Sequence, residues 1–189
     1  MNWVLGVDPG ATTGFALVNE RGEILYADEV KLATKGLDRF HEILQGLDDI
    51  LGQVRDRREM HYDATKDLPL LTVVVEDVSQ SHTYGAKQGR TRTSHSIASL
   101  QRDFATIVTG FIERDGAMIE DVLVVPVAKW YPRMSGRLLA KADAIRYLRQ
   151  SARGTDSLQS EHQVMAYGIA SWGLRHLRTL EQIRRARRT

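Results

Sequence analysis

Two acids stand at the ends of apolar runs, where an acid is costly. Asp8 closes Val4-Leu5-Gly6-Val7, just before the break at Pro9-Gly10. Glu76 closes Leu70-Leu71-Thr72-Val73-Val74-Val75, with Asp77 behind it. A carboxylate in apolar surroundings needs a cation or hydrogen-bond donors to meet it. If the two runs are neighbouring parallel strands, both carboxyls emerge at the same end of the sheet. Ligand sites in α/β sheets commonly lie at that end. Close carboxylates repel, and each raises the other's pKa unless a cation sits between them. Magnesium suits such a pair, since it takes hard oxygen ligands and keeps waters and a substrate phosphate. A third acid or an imidazole would complete the site. Asp156, Glu161 and His162, around the start of the last predicted helix, are the candidates.

The elements that must position these groups follow from periodicity. Residues 2–8 predict a strand. Residues 15–19 and 23–26 predict a hairpin around Glu20-Arg21-Gly22, and residues 27–32 a third strand or a continuation of its second arm. Apolar residues at helical spacing predict a helix over 37–57, and the polar stretch 56–69 reads as a loop. The β-branched run at 70–78 predicts a central strand buried on both faces. Residues 79–95 read as a polar, cationic loop and 95–114 as an amphipathic helix ended by Asp115-Gly116. A strand over 121–127, a loop over 131–137 and a helix over 138–150 follow. The last helix spans 158–180, with Ser160 and Gln163 as a capping box. Alternation of this kind after an antiparallel start predicts an α/β fold with one mixed sheet and helices on both faces.

A chain of 189 residues holds one full core. One domain is expected over 1–180, followed by a basic tail at 181–189. There is no cysteine, which excludes disulfides, thiolate zinc sites and a cysteine nucleophile, and fits a cytoplasmic location. Neither a signal peptide nor a membrane span is expected. Charge is unevenly distributed: residues 1–128 carry −7 and residues 129–189 carry +9. A basic third on a near-neutral chain points to a face that meets an anion such as nucleic acid.

Four pieces in order resemble the RuvC family of Holliday-junction resolvases, of the RNase H-like superfamily, and most of all its diverged bacteriophage members. They are Gly6-Val7-Asp8-Pro9-Gly10 with Thr13-Gly14-Phe15-Ala16-Leu17; Val73-Val74-Val75-Glu76; Lys141 five residues after Gly136; and the run from Glu161 to Ala170. The set covers almost the whole chain. It implies an RNase H-like mixed five-stranded sheet. It also implies a homodimer that cuts branched DNA with magnesium (two ions, with manganese a possible substitute) and no small-molecule cofactor. Asp8 and Glu76 would be metal ligands, and the last helix would supply two more, three residues apart. That last motif usually reads acid-or-His, two residues, Asp, Ala. Aligning on Ala166 puts His162 first and Met165 where the Asp belongs, and a thioether is no substitute for a carboxylate toward magnesium. Glu161, about 100° round the helix from His162, is therefore the expected third acid. His162 is expected as a ligand or base, and Lys141 as part of the catalytic set.

The resemblance places Tyr84, Lys87, Arg90 and Arg92 near the branch point, Tyr84 as a stacking candidate. Arg133 and Arg137 add charge near the last motif. The expected reaction is paired nicking that leaves 5′-phosphate and 3′-hydroxyl ends. A non-catalytic junction binder of the same fold, with Met165 marking a decayed site, is the alternative. The opening motif also resembles the phosphate loop of actin-like sugar kinases and chaperone ATPases, whose second lobe 189 residues do not accommodate. The helix over 95–114 is the expected dimer interface.

Overall fold

The first apolar run becomes β1 (Asn2–Asp8), the middle strand of a five-stranded sheet. The computed structural model describes residues 2–32, 37–77, 94–114, 119–153 and 158–187. β2 (Thr12–Val18) runs antiparallel to β1, and β3 (Ile24–Lys31) antiparallel to β2. On the other side β4 (Leu70–Asp77) and β5 (Ile119–Pro126) are parallel to β1. The order is β3-β2-β1-β4-β5, the mixed sheet that the alternation of elements predicts. Residues 27–31 continue the second arm of the hairpin.

Strand alternation divides the chemistry between two faces. On one face Leu5, Val7, Phe15, Leu17, Val73 and Val75 pack against α1 (Leu37–Thr65) and α2 (Ser94–Arg114). On the other, Val4, Ala16, Val18 and Val74 pack against α5 (Glu161–Ala186), with α3 (Val127–Trp130) and α4 (Lys141–Ser151) beside it. Asp8 and Glu76 share the parity of Val4 and Val74, so both belong to the α5 face. Arg39 grips Asp103 with three hydrogen bonds of 2.6–3.0 Å and clamps α1 to α2 on the opposite side.

Three expectations need correction. The polar stretch 56–69 is not a loop, because α1 continues to Thr65. Its polar residues have work on the inner side: Arg58, almost fully buried, donates twice to the Pro69 carbonyl, and His61 meets the Trp3 ring edge-on at 5.4 Å. Lys66, with φ 58°, then ends the helix. The loop over 131–137 contains a tight hairpin, β6 (Arg133–Met134) and β7 (Arg137–Leu138), turned by Ser135 and Gly136 at positive φ. The basic residues 181–186 continue α5 as an exposed helix. β5 is an edge strand, with Glu120, Asp121 and Val124 exposed. No helix among the described residues is long and apolar enough to cross a membrane.

Candidate active site

The site forms where β1, β4 and the start of α5 meet. The parallel register pairs Val7 with Val75, which leaves Asp8 and Glu76 as the next residues on adjacent strands. The third component depends on how closely α5 approaches. A Cβ on Gly14 would overlap the backbone carbonyl of His162, and one on Gly6 would overlap that of Ala166. The absence of side chains at these two positions lets the helix backbone lie directly on β1 and β2. The capping box fixes where the helix begins: Gln163 N–H donates to Ser160 Oγ and Ser160 N–H to Gln163 Oε1, both at 3.2 Å. His162 therefore falls in the first turn, with Nδ1 at 3.0 Å from Asp8 Oδ2.

The electrostatics are those of crowded acids. Burial pushes the Asp8 carboxyl above the usual carboxylate range; His162 and Lys141 work against that shift, and Glu161 adds to it. The hydrogen bond to Asp8 raises the His162 imidazole, against the effect of burial. Each group therefore bears on the other's titration. Glu76 is pushed up to about 8, first by burial and then by the charges of Asp8 and Asp77. The Trp130 indole N–H lies near enough to Glu76 to favour its charged form. Its geometry falls short of a hydrogen bond, and this buried donor has no other partner among the described residues.

Glu161 faces elsewhere. Its half-exposed carboxylate pairs with Lys141, the first residue of α4, and that contact holds its pKa below the ordinary value. Met165 is buried in the core beneath α5. His162, then, is the residue of the last motif that touches Asp8, while Glu161 is held one side chain away. Among the described residues no three His, Cys, Asp or Glu side chains are arranged to hold a metal ion. The donor chemistry nevertheless fits a hard cation. Asp8 and Glu76 offer carboxylate oxygens from adjacent strands, and burial raises the pKa of each.

Sequence reasoning missed Glu29. The register sets Asp8, Gly14 and Glu29 in one row across three strands, so Glu29 shares the site's face with only Gly14 between. Its Oε2 is buried without a hydrogen-bond partner among the described residues, and its charge reaches His162. The strand register was the missing signal. Of the expected DNA contacts, Arg133 and Arg137 are exposed on the β6–β7 hairpin, and Arg133 donates to the Ala128 carbonyl at 2.7 Å. Tyr84, Lys87, Arg90 and Arg92, like Asp156, lie outside the described residues.

No protein-family model matches the chain, and no curated protein matches it. Solved structures do. The structure of RuvC from Thermus thermophilus is similar at a TM-score of 0.62 and 16% identity, over 94% of this chain and 96% of that one. The same protein in complex with a Holliday junction substrate is similar at 0.58 and 14% identity, over 91% and 92%. At such identities the likeness is one of fold, and the fold of this chain is that of RuvC, RNase H-like.

Proposed function

We propose that this protein is a structure-selective, metal-dependent endonuclease that resolves Holliday junctions or related branched DNA, of the kind bacteriophages encode. The observation that carries the reading is Asp8 and Glu76 side by side at the end of the central strands, with His162 at 3.0 Å from Asp8. The RuvC-like fold around the pair, and the junction bound by the structural neighbour, support the choice of substrate.

Asp8 and Glu76 would hold magnesium or manganese, with His162 and Glu161 completing the set. Such ions polarise a scissile phosphate and a water, which leaves 5′-phosphate and 3′-hydroxyl ends. The residues themselves have separate tasks. His162 fixes the rotamer of Asp8 through its Nδ1 contact. Lys141 holds Glu161 in reserve, and an incoming phosphate that drew Lys141 away would free that carboxylate. Exposed Arg133 and Arg137 would meet the DNA backbone. A homodimer matches the two-fold symmetry of a four-way junction and its paired nicks.

The test is cleavage of a synthetic four-way junction with magnesium. Asp8→Asn and Glu76→Gln should bind the junction and leave it uncut; equal cutting by wild type and Asp8→Asn would sink the assignment. A second reading, a junction binder without catalysis, is favoured by Met165, buried where the family carries an acid. It expects binding with no cleavage in either magnesium or manganese.

A further inference from the structure

A second concavity opens beside the carboxylate pair, between α3, α4 and α5. Lys129, Tyr131, Arg133, Tyr147, Tyr167 and Arg175 line it, around a volume of about 390 Å³. No acid is among its described lining residues. Lys129, Arg133 and Arg175 are exposed, and none forms an ion pair among the described residues. Among the described residues no carboxylate compensates their positive charge at short range. The rings are presented differently. Tyr147 is 56% exposed and free to offer a face, whereas Tyr167 is buried and directs its hydroxyl to the Ser151 carbonyl at 3.3 Å. Tyr131 follows Trp130, whose indole lies near Glu76. Pro126, which ends β5, pairs with Asp77 next to Glu76, and α3 with Lys129 and Trp130 follows at once, so the groove and the carboxylate pair are neighbours.

Aromatic faces beside unpaired cations are the chemistry that binds unpaired nucleotides: bases stack on rings, and phosphates meet Lys and Arg. The volume falls near the low end of small-ligand pockets, roughly 300–1,000 Å³, which is room for an unpaired base. We propose that this groove binds an unpaired DNA nucleotide next to the reaction centre, its base against Tyr147 and its phosphates met by Lys129, Arg133 and Arg175. The inference rests on the nucleic-acid reading above and adds a strand-selective subsite to it. Opening of base pairs at a branch point would supply such nucleotides.

The experiment measures binding of fluorescein-labelled oligo(dT), and of a blunt duplex of equal length, to the full chain in EDTA by anisotropy. Tyr147→Ala should weaken oligo(dT) binding by about tenfold, the scale of one lost base stack, and leave duplex binding within about twofold. Tyr147→Phe, which keeps the ring, should bind as wild type does. Arg175→Gln should weaken oligo(dT) binding and flatten its salt dependence. Tyr147 and Arg175 are exposed, so these variants are expected to fold. Wild-type oligo(dT) affinity in Tyr147→Ala, or an equal loss for the duplex, would overturn the proposal. So would displacement of oligo(dT) by micromolar dTMP, which would make the groove a free-nucleotide site. Junction cleavage separates the two readings. Cutting that persists while oligo(dT) binding ignores Tyr147 refutes only the groove. Strand binding that depends on Tyr147 without any cutting refutes only the nuclease.

Discussion

The two faces of the sheet are built on different principles. Against α1 and α2 the strands present Leu5, Phe15, Leu17 and Leu71, met by Leu47, Ile50, Ile107 and Phe111. Against α5 they present Gly6, met by Ala166 and Ala170, and Gly14, met by the His162 backbone, while Val4 and Val74 lie against Gly173. Large side chains fill space and can partly re-adjust when one is lost. Backbone lying on backbone has nothing to adjust. The first face supplies burial, and the second fixes distance. The chemistry sits on the second, where His162 and Asp8 must meet at hydrogen-bonding range.

The largest effect should come from Gly14→Ala. The new methyl would occupy the place of the His162 carbonyl, so the start of α5 must move away from β2. A displacement of about 1 Å at a reacting centre costs roughly 100-fold in rate. Junction cleavage should fall by at least that factor, well beyond what the loss of folded protein accounts for. Wild-type cleavage by Gly14→Ala would show that the close approach does not position the site.

Leu47→Ala tests the other face. Leu47 is fully buried between α1 and the sheet. Its truncation should cost about 2–5 kcal/mol of stability, read as a lower midpoint in urea. Cleavage well below the melting temperature should stay within about threefold of wild type, since no site residue stands on that face. A collapse in rate without loss of stability would erase the distinction between the faces.

Met165→Asp probes the second face at its weakest point. It places a carboxylate in the core beneath α5. Without metal the variant should lose about 3 kcal/mol, the cost of an unpaired buried charge. If the acid reaches a site completed by Asp8 and Glu76, manganese should restore much of that loss and raise cleavage. Destabilisation that metal leaves untouched would place position 165 away from the ion.

How much of this was legible follows the same division. The mixed sheet and the two acids at strand ends could be read because apolar runs carry their own parity; that the two strands are parallel neighbours stood as a condition, which the register meets. The polar second half of α1 could not, because Arg58 and His61 contribute there through burial and hydrogen bonding that composition hides. The choice between Glu161 and His162 turns on the azimuth of α5. That azimuth is set by contacts with Gly6 and Gly14, some 150 residues away in sequence. Glu29 became visible only when the β2–β3 register put it in line with Asp8.

The smallest effect, and the one that reports on the carboxylate pair without any DNA, is the pH dependence of apo stability. Glu76 titrates near 4.5 when unfolded and near 8 when folded, because burial and the neighbouring acids disfavour its charge. Below the lower value both states hold the proton and the group contributes no pH dependence. Between the two values the folded state keeps a proton that the unfolded state has lost, so stability falls as pH rises; above about 8 the full cost is present. Glu76→Gln removes that titration. In EDTA its melting temperature should exceed wild type by at least about 3 °C at pH 8.5, the shift that one kcal/mol produces in a domain of this length. At pH 4.5 the two proteins should melt together. Saturating magnesium should narrow the gap at pH 8.5 by stabilising the wild type alone. A gap that was the same at both pH values would mean that Glu76 is solvated and that Asp8 stands at the sheet end without a crowded partner.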